Sequence, residues 1–209
     1  LQKMGIDDNS PLIKKIISNA IRYSDRTMNE SYLLLKSQKD FKKDNDYNNY
    51  EALQYIYARS YYTERKVDKQ YAEAFDFWLS QADKYWQTKG LMSQAMIALA
   101  LHRFGEKSTS KEIVSSINER SFSSEELGMY WKENESGWMW YNSPIETQSL
   151  LIEAYNDVLN DSKSIELMKV WLLKQKQVQD WKTTKATAEA CYALLRQGGD
   201  WLESNEQVA

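Results

Sequence analysis

The segment AMIALALHRFG at residues 95–105 is matched by AEACYALLRQG at residues 188–198. Five positions are identical, including an Arg and a Gly near the end of each segment. The copies lie 93 residues apart, which is two units of about 45 residues. Residues 149–159 fit the same frame, and residues 52–62 fit it weakly. A repeat of this length predicts stacked helical hairpins and therefore an all-α fold.

Each repeat unit pairs one helix of small residues with one bulkier amphipathic helix. Small side chains let helix axes approach closely, so the Ala-rich helices are expected inside and the bulkier helices outside. Stacked units form either an open superhelix or a closed α/α toroid, and the pattern alone does not choose between them. A ring of six hairpins needs about 270 residues. We therefore expect four to five hairpins here, so that a ring beginning at Leu1 lacks its first elements.

Cap and breaker signals place the individual helices. Ser10-Pro11 and Ser143-Pro144 are each typical of an N-cap followed by the first helical residue. Gly105 is expected to end its helix as the C′ residue. The polar segment 39–49 is predicted to be a loop. The predicted helices cover residues 10–21, 29–37, 50–62, 68–86, 91–104, 110–119, 145–159, 164–175 and 183–196.

The segment MYWKENESGWMWY at residues 129–141 interrupts this pattern. Two aromatic arms flank a polar stretch that contains a Gly, which predicts a β-hairpin. Two interpretations of its aromatic residues stay open. They form either a cover packed on helix ends or a surface that binds a glycan or peptide, and the candidates for that surface are Trp131, Trp138, Trp140 and Tyr141.

Composition and motifs argue against most catalytic and metal-dependent functions. The net charge of −3 gives no basic surface for nucleic acid, and no apolar run approaches the length of about 20 residues that spans a bilayer. One Cys and one His exclude an internal disulfide and a thiolate metal cluster. The sequence has no phosphate-binding Gly-rich loop and no zinc or calcium spacing. We therefore expect no metal and no cofactor.

Three candidate sites have simpler structural interpretations. His102, near the end of an apolar helix, is expected to act structurally or with the helix dipole. Glu133 and Glu135 resemble a glycosidase pair beside tryptophans, but an exposed turn gives neither a reason for a raised pKa. The segment 39–46, KDFKKDND, lacks the Gly of a calcium loop and is expected to be a solvated loop.

Several segments, spread in order over most of the chain, resemble α-2-macroglobulin-like proteins of Bacteroides-type bacteria. The most distinctive is WKTTKATAEACYALL at residues 181–195. The other similar segments are NAIRY at 19–23, YARSYY at 57–62, GMYWK at 128–132, WYNSPIETQSLLIEA at 140–154 and WLLKQKQ at 171–177.

This resemblance implies an α/α-toroid domain over residues 1–200, similar to the complement thioester domain. Residues 201–209 would then be an exit segment toward a β-sandwich domain. The implied function is non-enzymatic: endopeptidase inhibition or envelope defence, in which a bait segment is cut and the rearranging molecule traps the protease. The implied location is the periplasm or cell envelope. The implied partners are proteases, envelope proteins and macroglobulin-type domains of the same parent chain.

The reactive thioester of such proteins needs a Cys-x-Glu-Gln motif, and this chain has none. Cys191 is followed by Tyr192, Ala193 and Leu194, so it is expected to be a buried structural thiol. In the family the motif would fall upstream of Leu1. A non-covalent trapping mechanism is favoured.

Two other functions stay open. A plain helical-repeat scaffold would bind a peptide in a concave groove. A carbohydrate-active toroid would need two carboxylates facing each other across a Trp-lined cleft.

Overall fold

The structure, a computed structural model, describes residues 10–135, 143–178, 181 and 183–196. This part of the chain is mostly helical, with one two-stranded sheet, as the predicted all-α class requires. The elements in order are α1 Pro11–Lys36, α2 Tyr50–Arg59, α3 Ala72–Tyr85, α4 Leu91–Phe104, α5 Lys107–Glu119, β1 Phe122–Ser124, β2 Gly128–Tyr130, α6 Pro144–Ala154, α7 Ser162–Val178 and α8 Thr184–Arg196. Short 3₁₀ turns follow α2 and α3, and a π-helical segment, Tyr155–Leu159, follows α6.

The helices form two layers by alternation along the chain. Helices α2, α4, α6 and α8 contact one another in sequence and form what we call the central row. The other helices pack beside that row, with α1 against α2 and α3, α5 against α4, and α7 against α6 and β2. This alternation of a row with flanking helices is common to open superhelices and closed α/α rings.

Helix α4 lies at the centre of the core, and its boundaries agree with the sequence prediction. Every residue from Ala95 to Leu101 is buried, because the helix carries small or apolar side chains on all sides. Gly105 ends it with a left-handed φ of 100°, and its amide donates to the carbonyl oxygens of His102 and Leu101. The predicted C′ role of this glycine is confirmed.

The two predicted N-terminal helices are a single helix of 26 residues. The prediction of a break between residues 21 and 29 was wrong, because that stretch contains neither Gly nor Pro. It also carries tertiary contacts that need a continuous helix. Asp25 is buried and its carboxylate lies 3.2 Å from Nε of the buried Arg59, while Tyr55 donates to the same oxygen at 2.8 Å.

The observed β-hairpin lies upstream of the predicted one. Strand β2 contains Met129 and Tyr130, as predicted, but it pairs antiparallel with β1, with Phe122 opposite Tyr130. Residues 131–135 contain no strand, and the predicted second arm lies outside the described residues. The prediction failed because β2 packs closely against α7, a contact that the local sequence does not show. The backbones approach so closely at Gly128 that a Cβ added there would lie 2.3 Å from the carbonyl oxygen of Leu167. Only a glycine allows this approach, and its φ of 77° suits one as well.

Candidate functional site: the groove along the central row

Trp131, the first residue of the proposed aromatic surface, is buried. Its side chain is 2% exposed, its indole N–H donates to the carbonyl oxygen of Ile117 at 2.8 Å, and its ring packs edge-on against Tyr155. Of the two interpretations left open, the burial of Trp131 agrees with a cover packed on helix ends and not with a binding surface, because the chain after β2 turns inward between α5 and the π-helical segment. The other candidates, Trp138, Trp140 and Tyr141, lie outside the described residues.

Cys191 is exposed, so the prediction of a buried thiol was wrong. Helix α8 buries Ala186, Ala190 and Ala193, which contact the rest of the row along one face. Cys191 lies about 100° or more around the helix from that face. The sequence shows a helix of small residues, but it does not show that only one side of this helix is covered.

The other candidates from the sequence, His102, Glu133, Glu135 and the loop 39–46, lie in positions that fit the structural interpretation given to each. His102 lies in the last turn of α4, where burial lowers the pKa of its imidazole. Glu133 is exposed and lies 2.9 Å from the guanidinium of Arg120, and Glu135 is exposed as well, as predicted for a turn. The loop 39–46 is mostly exposed and is tied to α3 by an ion pair of 2.8 Å between Asp44 and Lys84.

Two properties of the described residues bear on partners. None of their helices combines the length and apolarity needed to cross a bilayer. No cluster of three or more His, Cys, Asp or Glu side chains within the same residues has the arrangement to hold a metal ion.

A groove of about 320 Å³ runs across all four helices of the central row. Each helix contributes side chains to it, so it exists only because alternate helices of the chain lie side by side. Its lining mixes aromatic, thioether and charged groups: Tyr50, Gln54, Tyr57 and Ala58 from α2, Met92 and Met96 from α4, Glu146 and Leu150 from α6, and Lys185 and Glu189 from α8.

Tyr57 joins the groove lining to a hydrogen-bonded cluster around Glu153, which is 2% exposed; we call this side of the groove its closed end. Arg103 Nη2 lies 2.7 Å from Glu153 Oε1 and 2.8 Å from Asp157 Oδ2. Tyr61 donates to Glu153 Oε1, and Tyr57 donates to Oε2 at 3.2 Å. The Arg103 guanidinium also lies 4.2 Å from the centre of the Tyr61 ring. The cluster therefore joins α2, α4 and α6 through one buried carboxylate.

Burial and the neighbouring charges shift the pKa values in this cluster in one direction. Burial, with Glu153 and Tyr61 close by, raises the pKa of Tyr57 far above its ordinary value. Burial opposes the charge on Arg103, but Tyr61 and Glu153 outweigh it and raise the pKa of the guanidinium. Both groups hold their protons at all ordinary pH values, which suits a structural role and not proton transfer.

Glu146, seven residues earlier on the same helix, has different surroundings. It is 8% exposed and lines the groove. Its carboxylate has no hydrogen bond and no ion pair with any described residue. The spacing of seven puts both carboxylates on one face of α6, which the sequence analysis did not recognise. The available signal was a predicted helix with charged residues at helical spacing among apolar neighbours.

A second cavity, of about 530 Å³, lies where the N-termini of α2, α4 and α6 meet. Asn49 caps α2 there by accepting from the amide of Ala52 at 2.8 Å, and Gly90 precedes α4. The cavity borders Glu135 and Ser143, the last and first described residues on either side of a gap. It shows that α2, α4 and α6 begin at the same end of the central row.

Comparison with protein-family models, with curated proteins and with solved structures finds no match to this chain. The macroglobulin resemblance therefore stays a prediction from the sequence.

Proposed function

We propose that this chain is an α/α-toroid module of a bacterial α-2-macroglobulin-like protein, and that it acts by binding and support without catalysing a reaction. The two-layer alternation of helices supports the proposal, because a toroid is built from such alternating hairpins. The resemblance of several segments over most of the chain supports the choice of family.

The observation that carries the proposal is an uncovered apolar stripe on each of the first and last described helices, α1 and α8. On α1 the residues Leu12, Ile16, Tyr23 and Leu34 are all more than half exposed. Their spacing puts them on one side of the helix. On α8 the exposed residues Ala188, Cys191 and Leu195 form a similar stripe opposite the buried alanines.

Exposed apolar stripes of this kind mark surfaces that other elements cover. In a ring, each stripe would lie against a further hairpin or a neighbouring domain. This supports a module that works as part of a larger assembly. The proposed mechanism, non-covalent trapping of a protease, follows the resemblance; Cys191 lies in a surface stripe and is not part of a Cys-x-Glu-Gln motif. The proposed location is the periplasm or cell envelope, with proteases and envelope proteins as partners.

The test is a protease-trapping assay on the native protein that carries this chain. Several proteases are incubated with it, and each is then assayed on a large protein substrate and on a small peptide substrate. We expect activity to fall on the large substrate only, together with compaction in size-exclusion chromatography. Equal activity on both substrates with no change of shape would contradict trapping.

The groove along the central row favours a second candidate function, a scaffold that binds a peptide. Its lining crosses four helices and combines rings, thioethers and charged groups, as a recognition groove does. A carbohydrate-active toroid is the weaker candidate. Glu146 and Glu189 both line the groove, but tyrosine and methionine stand where that reading needs tryptophan. Turnover of an oligosaccharide by the purified protein would overturn the non-catalytic proposal.

A further inference from the structure

Glu146 places a carboxylate in a nearly buried position without a hydrogen bond or ion pair to any described residue. It is 8% exposed, and no described residue donates a hydrogen bond to its carboxylate or forms an ion pair with it. A carboxylate taken out of water is unfavourable unless another group compensates its charge. The N-terminus of α6 compensates part of it, because Glu146 lies in the first turn. The S-x-x-E spacing from Ser143 is that of a capping box, but the Ser143 side chain makes no cap hydrogen bond to the described helix.

The groups around Glu146 suit a cation. Tyr50 and Tyr57 present aromatic rings to the groove, and Met92 and Met96 add polarisable thioethers. Burial raises the pKa of Tyr50, and the nearby Glu146 carboxylate acts in the same direction, as expected of two groups that line one groove.

The other charged groups of the groove are both on α8. Glu189 adds a second carboxylate, and Lys185, which is exposed, adds one positive charge. The lining therefore has a net charge of −1, with the buried charge negative and the positive charge at the surface. The closed end is neutralised separately, because Arg103 is held by Glu153 and Asp157.

We propose that the groove binds a basic side chain of a polypeptide laid across the central row, with its cationic end against Glu146. An arginine fits best, because a guanidinium can donate two hydrogen bonds to one carboxylate and can stack on a tyrosine ring. Its aliphatic stem would pack on Leu150 and Met96. The volume of about 320 Å³ is at the small end of ligand sites and suits one side chain. This proposal does not depend on the macroglobulin family.

The first experiment is calorimetric titration of the whole chain with a capped peptide of alanine and serine that carries one central arginine. A second peptide has citrulline in its place, which keeps the shape and removes the charge. A third has lysine, and free arginine is the fourth ligand. We expect the arginine peptide to bind at least about tenfold more tightly than the citrulline peptide. We expect the lysine peptide to lie between them. Equal binding of the arginine and citrulline peptides, or no binding of either, would overturn the proposal. Free arginine binding as tightly as the peptide would overturn its polypeptide part.

Variants then test the residues. Glu146→Gln should lower the affinity for the arginine peptide at least about tenfold. Glu112→Gln, which removes an exposed carboxylate from α5, should leave binding unchanged. Lys185→Ala should strengthen binding a few-fold, because it removes a like charge from the groove. A weaker affinity of the arginine peptide for Lys185→Ala would contradict the proposal, because removing a like charge cannot weaken the binding of a cation held by charge attraction. Circular dichroism of each variant confirms that it is folded.

Discussion

Glu146 and Glu153 lie on the same face of α6, and both are nearly buried, yet only one has partners. Glu153 accepts from Tyr57, Tyr61 and Arg103, whereas Glu146 accepts from no described residue. The two residues are of the same type, lie on the same helix and face the same neighbouring helices. We infer from this difference that the Glu153 carboxylate stabilises the fold, whereas the Glu146 carboxylate is available to bind a ligand.

The difference arises from what the neighbouring helices bring to each end of the groove. Near their C-terminal ends, α2 and α4 supply hydroxyls and a guanidinium, from Tyr57, Tyr61 and Arg103, that reach Glu153. Near their N-terminal ends the same helices supply Tyr50 and Met92, and the Tyr50 hydroxyl lies 3.8 Å from the Met92 sulfur. Among the described residues, none forms an ion pair with Glu146, and the one lysine of the groove lining, Lys185, is exposed. The same helices thus build a closed end and an open end.

The largest expected effect on stability comes from a substitution at Glu153. The variant Glu153→Leu should lower the free energy of unfolding by about 3–5 kcal/mol, since it leaves Arg103 partly uncompensated in a buried site. Urea denaturation measures the change. Asp157→Asn is the control at the more exposed partner, whose side chain is 28% exposed, and it should have a smaller effect. A loss below about 1 kcal/mol in Glu153→Leu would contradict the structural role of this carboxylate.

A double variant sharpens the same point. Arg103→Met combined with Glu153→Leu should recover most of the stability that Glu153→Leu loses, because a buried ion pair is often replaced by apolar residues at little cost. The coupling between the two substitutions is read from the four unfolding free energies of the mutant cycle. Additive losses from the two single variants would show that Arg103 and Glu153 do not act as a pair.

The alkaline limit of stability should depend on Tyr57. An unfolded tyrosine ionises near pH 10, whereas the raised pKa keeps Tyr57 protonated in the folded state. The stability it contributes is complete below about pH 10 and falls as the pH rises further, by about 1.4 kcal/mol per pH unit. Tyr57→Phe should remove that share of the slope, as measured by urea denaturation between about pH 10 and 12. Tyr23→Phe, at a ring that is 63% exposed, should keep the original slope.

The smallest expected effect on stability is at Glu146. Glu146→Gln should change the free energy of unfolding by less than about 1 kcal/mol, because no described residue forms a hydrogen bond or ion pair with its carboxylate that the substitution would remove. Thermal and urea denaturation both measure this. A loss similar to that of Glu153→Leu would show that Glu146 is structural and would remove the contrast between the two ends of the groove.

Helices whose signals are local could be predicted from the sequence. The limits of α4 follow from its apolar residues and from Gly105, and the start of α6 follows from Ser143-Pro144. The sequence did not predict α1 as a single helix, because the polar residues in its middle interrupt the apolar pattern. One of them, Asp25, forms an ion pair with Arg59 of α2. That contact joins residues distant in the sequence, and no local pattern reports it.

The candidate site could not be predicted for the same reason. The sequence left the burial of Trp131 open and placed Cys191 in the core, which was wrong, because burial depends on which neighbouring element covers a face. The groove joins side chains from α2, α4, α6 and α8, which meet only after the row has formed. Glu146 and Glu153 lie on the same face of α6, so their positions in the sequence do not distinguish them. They differ in the side chains that neighbouring helices bring to each.

The most direct test measures the melting temperature of Glu146→Gln and Glu153→Gln with and without the arginine peptide. At about ten times its dissociation constant the peptide should stabilise a competent protein by about 1.4 kcal/mol, or about 3–5 °C for a chain of this size. We predict that Glu153→Gln melts at a lower temperature but keeps the peptide-induced rise, while Glu146→Gln keeps its melting temperature and loses the rise. The reverse pattern, or the same response in both variants, would contradict the division of the groove into a structural end and a binding end.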